Sequence, residues 1–156
     1  MMLTVSAEAA STAINGHATT SGTFATNSNW LTAVQAEFGS SATVGTFEGI
    51  KLAFENNIPG LVTLLTQAGG SAMVTYGGNQ TSDGNTRGYF LTYHGSTVPD
   101  GWLVHDKIGD VSTGNQVSLG SWYGNNRIIA KAVPEPSSVL VAGLLGLGAL
   151  GRRRRN

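Results

Sequence analysis

The spacing of apolar residues changes period along this chain, and the changes mark its elements. Residues 11–26 are rich in Ala, Ser and Thr and show no period, which predicts a loop or an edge strand. Trp30, Leu31, Val34 and Phe38 then recur at helical spacing. Ser28 or Asn29 can cap that helix and Gly39 can end it, so one short N-terminal helix is expected. Residues 42–48 read as a strand through Gly45-Thr46-Phe47-Glu48-Gly49, and residues 51–57 suit either a strand or a turn of helix. Pro59-Gly60 reads as a break. Residues 61–67 and 71–76 are β-type runs flanking Ala68-Gly69-Gly70, the pattern of a hairpin. Residues 87–94 alternate cleanly, with Tyr89, Leu91 and Tyr93 on one face and Phe90, Thr92 and His94 on the other. Pro99-Asp100-Gly101 is a turn sequence, and residues 102–108, 116–123 and 127–133 complete the strands, the last two joined by Gly124-Asn125-Asn126. About seven short strands with regular turns predict a mainly β fold, an antiparallel β-sandwich, with a jelly roll or partial barrel as the near alternative.

The pattern changes again at the C-terminal end. Val133-Pro134-Glu135-Pro136 is followed by an uncharged apolar run over 139–151, and then by Arg152, Arg153, Arg154 and Arg155. The two prolines fix their own φ and push Val133 and Glu135 out of helical space, so this peptide is expected to be extended. In lipid the apolar run must be helical, because each backbone polar group then finds an internal partner. It would be a single transmembrane helix of about 20 Å, short of the ~30 Å hydrocarbon core. Its five leucines and two valines favour insertion by about 2 to 4 kcal/mol, and its four glycines weaken that. The arginines compensate by staying cytoplasmic and reaching anionic headgroups.

Those three parts, in that order, closely resemble the PEP-CTERM sorting signal of exported proteins in Gram-negative, biofilm-forming bacteria. The resemblance covers about 24 of the 156 residues. It implies that exosortase, a membrane-embedded cysteine peptidase-transferase, recognises Pro134, Glu135 and Pro136 and cleaves near them. It also implies a link to exopolysaccharide production and the cell envelope. An ordinary stop-transfer helix with a basic flank accounts for the helix and arginines but not for the Pro-Glu-Pro peptide. The short helix followed by Thr46-Phe47-Glu48-Gly49 also resembles the start of several exported β-sandwich proteins carrying this tail.

Cytoplasmic arginines require the preceding residues to be outside, and therefore an export signal. Residues 1–10 have no basic lead and only a short apolar stretch, yet Ala7-Glu8-Ala9 before Ala10 has the form of a signal-peptidase site. They are expected to be the remnant of a truncated signal peptide. The competing reading, a cytosolic tail-anchored protein, would drive four arginines across a bilayer behind a weak helix. The expected organisation is thus 1–10 signal remnant, 11–132 extracytoplasmic β-rich domain and 133–156 sorting signal.

Composition supports an extracytoplasmic body. There is no cysteine, hence neither a disulfide framework nor a thiol nucleophile. The formal charge is zero, but residues 11–132 carry seven acidic against five basic side chains, which leaves no basic footprint for nucleic acid.

The residues that could carry chemistry are sparse. His94, His105, Asp106 and Ser96 make a hydrolytic triad only on paper: no serine sits in a GxSxG elbow, and adjacent strand residues face opposite ways. His94 and His105, expected to face each other across the Pro99 turn, lack a third metal ligand. Asn79, Asp83, Asn85, Asp106 and Asp110 are donors of the type Ca²⁺ takes but fit no loop pattern. Neither catalytic residues, a metal nor a cofactor is expected. Trp102, Trp122 and Tyr123, with Tyr89 and Tyr93, could form a stacking face for carbohydrate, although large aromatics in a small domain are ordinarily core. Thr19, Thr20, Ser21 and Thr23 are candidate glycosylation acceptors.

Overall fold

A computed structural model describes residues 11–77, 88–94, 104–109, 116–122 and 124–133, with the Trp122 side chain excepted. The strands are β1 (His17–Thr19), β2 (Phe24–Ala25), β3 (Thr43–Val44), β4 (Ser71–Val74), β5 (Gly88–Tyr93), β6 (Asp106–Ile108), β7 (Val117–Trp122), β8 (Asn125–Asn126) and β9 (Ile129–Lys131). The helices are α1 (Trp30–Phe38), α2 (Phe47–Phe54) and α3 (Ile58–Gln67). All named strand pairs are antiparallel. They form sheets of order β1-β9-β3, β2-β8 and β4-β5-β7-β6.

The predicted helix is present. Asn29 Oδ1 accepts from the Thr32 N–H at 3.1 Å, and Gly39, at φ +100°, ends α1 by donating to Gln35 O at 3.0 Å. Its inward line is Trp30, Val34 and Phe38, while Leu31 is left 46% exposed.

The expectation of a single soluble helix is corrected. Residues 47–48, read as the end of a strand, and 61–67, read as one arm of a hairpin, are helical, and 51–54, where strand and helical turn were both open, are helix too: the helices run over 47–54 and 58–67. Thr46 Oγ1 accepts from the Gly49 N–H at 3.0 Å, and Asn57 Oδ1 accepts from the Gly60 N–H at 3.2 Å, so each helix has a side-chain N-cap. Pro59 lies in the first turn of α3, where a missing N–H costs no intrahelical bond. Phe47, Ile50 and Phe54 of α2 and Leu61, Leu64 and Leu65 of α3 are buried. Thr46-Phe47-Glu48-Gly49, which resembled the opening strand of other exported proteins, is therefore a helix start.

These helices explain what covers the four-stranded sheet. Ala72, Val74, Leu91, Ile108, Val117 and Leu119 form one cluster with the buried residues of α2 and α3, joined by Ile129 of β9. Met73 and Phe90, on the opposite face, pack with Trp30 and Val34 of α1 and with Ile128 and Ala130. Helices supply layers that a sandwich would take from a second sheet. The sheets instead meet at their edges: the Met73 N–H donates to Arg127 O at 2.7 Å, and the Thr75 N–H to Gly45 O at 3.0 Å. The predicted alternation of Tyr89, Leu91 and Tyr93 against Phe90 is observed.

One further correction concerns a turn, while the lead over 11–26, read as loop or edge strand, does hold the edge strand β1. Asn125 and Asn126 are not merely a link; they pair with Ala25 and Phe24. Within the aperiodic lead, Ile14 and His17 bridge across Asn15-Gly16, both central residues having positive φ. This is a tight hairpin turn, and its Asn-Gly pair is the sequence signal for it.

Candidate functional site

The histidines are separated by the sheet order. β7 lies between β5 and β6, so His94, just after β5, and His105, just before β6, cannot face each other across one hairpin. β7 is central because Val117 and Leu119 are apolar on one face and Ser118 is buried on the other, whereas short β6 with exposed Lys107 suits an edge. Each histidine instead bonds a β7 serine: His94 Nε2 lies 2.7 Å from Ser118 Oγ, and His105 Nε2 lies 3.1 Å from Ser121 Oγ. Burial lowers the pKa of His94. Ser118 is fully buried, which removes its hydroxyl from any substrate. Asp106 Oδ1 accepts from the Lys107 N–H at 2.8 Å. Among the described residues no three His, Cys, Asp or Glu side chains converge on a metal position.

A shallow cleft of about 400 Å³ runs beside α2, lined by Phe47, Glu48, Lys51, Leu52, Glu55, Tyr76 and Asp106. Starting from its lining residues Phe47 and Tyr76, four rings make edge contacts in series. Phe47 and Tyr76 are 5.6 Å apart, Tyr76 and Tyr89 5.2 Å, and Tyr89 and His105 5.6 Å. Glu48 Oε1 accepts from the Gly77 N–H at 3.2 Å, and Lys51 Nζ lies 6.0 Å from the Phe47 ring centroid. Leu52 is 73% exposed at the rim. The lining therefore combines an apolar floor with three carboxylates and one ammonium, a combination suited to a hydroxyl-bearing ligand. Sequence reasoning missed this cleft, because Phe47, Tyr76 and Asp106 become neighbours only after α2 packs on the sheet.

At the far end of β9 the fold runs directly into the tail. Lys131, opposite both His17 and Thr43, is the last paired residue of β9. Ala132 takes φ +64°, and the Val133 N–H then donates to Gly16 O at 3.0 Å. The Val133 side chain packs on the cluster around Trp30.

The family model described as the PEP-CTERM protein-sorting motif matches residues 132–155. Residues 132–155 are a PEP-CTERM sorting motif. No family model covers the rest of the chain. No curated protein and no solved structure matches it.

The sorting motif supports a secreted protein targeted to exosortase, and it implies export with transient membrane anchoring. Its Pro134, Glu135 and Pro136, the 139–151 span and Arg152, Arg153, Arg154 and Arg155 lie outside the described residues. Among the described residues no helix is long and apolar enough to cross a membrane. Trp102, Tyr123, Ser96, Asn79, Asp83, Asn85, Asp110 and the Pro99 turn also lie outside them, as does the Trp122 side chain. Tyr89 and Tyr93 are partly buried against the core of α2 and α3. Thr19 and Thr20 are fully buried, so of the four glycosylation candidates only Ser21 and Thr23 reach solvent in the fold.

Proposed function

We propose that this chain is a non-enzymatic cell-envelope or extracellular-matrix protein of a Gram-negative, biofilm-forming cell. Its role is structural or adhesive, alongside exopolysaccharide. An exosortase-type enzyme recognises Pro134-Glu135-Pro136 while the 139–151 helix holds the chain in the inner membrane. The observation that carries this reading is the sorting motif, with its proline-bracketed carboxylate, marginal helix and arginine block in register. A span too short to anchor permanently suits a segment that is removed after delivery. Glu135→Gln removes the only charge of the Pro-Glu-Pro peptide with little change of shape. In the native host this variant is expected to accumulate uncleaved in the inner membrane. Processing at the wild-type rate, followed by pulse-chase and fractionation, would overturn the reading.

The cleft beside α2 favours a second reading, a carbohydrate-binding module. Sugar C–H faces pack on aromatic surface while hydroxyls bond to carboxylate and ammonium groups, and Tyr76, Glu55, Asp106 and Lys51 offer these together. The expected aromatic face of Trp102, Trp122 and Tyr123 is the competing location for the same activity. Polysaccharide pull-down with Glu55→Gln and Tyr76→Ala, against Trp102→Ala and Trp122→Ala, separates the two. Retention in all four variants excludes both locations.

A further inference from the structure

We propose that the folded domain gates its own sorting motif, with Val133 as the positioning residue. The strand leading into the motif is not an edge: β9 lies between β1 and β3, and Lys131 is opposite a residue on each side. Ala132 then adopts φ +64°, a left-handed conformation that an L side chain resists and glycine accepts. The turn is held from beyond, because the Val133 N–H donates to Gly16 O at 3.0 Å and its side chain packs on the Trp30 cluster. Pro134 follows Val133 directly, so no spacer separates this clamp from the peptide to be read. A processing enzyme that grips extended chain on both sides of the bond it cuts must wait for residues 132–133 to leave the body. Fraying of this short segment sets when the motif can be read.

This inference rests on the reading that the motif is processed near Pro134. Two changes should move processing in opposite directions. Ala132→Gly removes the resistance to positive φ and should tighten the clamp about threefold. A short Gly-Ser insertion between Val133 and Pro134 leaves the clamp intact but moves the motif away from it. In the full chain in detergent, Val133 amide exchange should be protected, slower in Ala132→Gly and unchanged by the insertion. In the native host, pulse-chase should show Ala132→Gly processed about threefold more slowly and the insertion variant faster than wild type. An unprotected Val133 amide, or wild-type processing rates in both variants, would overturn the gate. Normal processing of Glu135→Gln would instead overturn the underlying reading, so the two failures are distinct.

Discussion

His17 shows how one residue links the core to solution conditions. It is 3% exposed on β1, its ring centroid is 5.5 Å from that of Phe54, and Nδ1 lies 2.9 Å from Asn15 O. Because a carbonyl only accepts, Nδ1 carries the proton, and Nε2 is left buried without a partner. Protonating Nε2 would place a charge in the core facing Lys131. Burial first, and then the Lys131 charge, lower the His17 pKa below 6.5, outweighing the hydrogen bond to Asn15, which raises it. The folded state thus binds this proton less readily than the unfolded chain. The stability is fully present above pH 6.5 and declines as pH falls below it. Thermal melts by circular dichroism between about pH 7.5 and 5 should show the midpoint falling on the acid side. His17→Phe, which keeps a ring against Phe54 without a titrating nitrogen, should flatten most of that decline. An equally steep decline in the variant would assign it elsewhere. His94, also lowered by burial, contributes in the same direction.

At the scale of elements, residues 47–67 are where sequence and structure part most clearly. Phe47, Ile50, Phe54, Leu61, Leu64 and Leu65 are compatible with strand-like windows if read a few residues at a time. Pro59-Gly60 looked like a break, yet proline is tolerated in a first helical turn and the Gly60 N–H is capped by Asn57. Thr46 before Gly49 and Asn57 before Gly60 were the legible signals, each a capping side chain three residues ahead of the amide it satisfies. If α3 is held mainly by the face it buries, Leu64→Ala should cost about 2 to 5 kcal/mol and Asn57→Ala about 1 kcal/mol in urea unfolding. Thr63, exposed on the same helix, is the control: Thr63→Ala should change stability by less than about 0.5 kcal/mol. A Leu64→Ala cost no larger than the control's would show that α3 is not part of the cooperative core.

For the whole molecule, the organising fact is that the body and its sorting motif adjoin without a linker. The core clusters draw on residues from Trp30 to Ile129 and Ala130, with Val133 packed at the margin. The body therefore closes at the residue where the tail begins. Deleting residues 134–156 should leave the thermal midpoint of the domain unchanged and release it as a soluble exported product. Deleting 131–156 also removes the Lys131 pairings and the Val133 bond to Gly16, and should lower the midpoint. Melting curves of the two purified truncations check this; equal midpoints would mean that the end of β9 adds nothing to the fold.

The sequence by itself determined the address, α1 and the facial alternation of β5. Each is a local property: the Pro-Glu-Pro peptide, apolar run and arginines act as contiguous chain, α1 carries its own cap, stripe and stop, and alternation has period two wherever the strand sits. Tertiary structure decided the rest. It chose helix over strand for α2 and α3, because only packing on Leu91 and Leu119 selects which apolar period is buried. It placed β7 between β5 and β6, which parted the two histidines, and it gathered the cleft from α2, Tyr76 and Asp106. It also tied Val133 to Gly16, 117 positions earlier in the chain. Contacts over such separations depend on strand order and layer packing, and neither is written in any short window of residues.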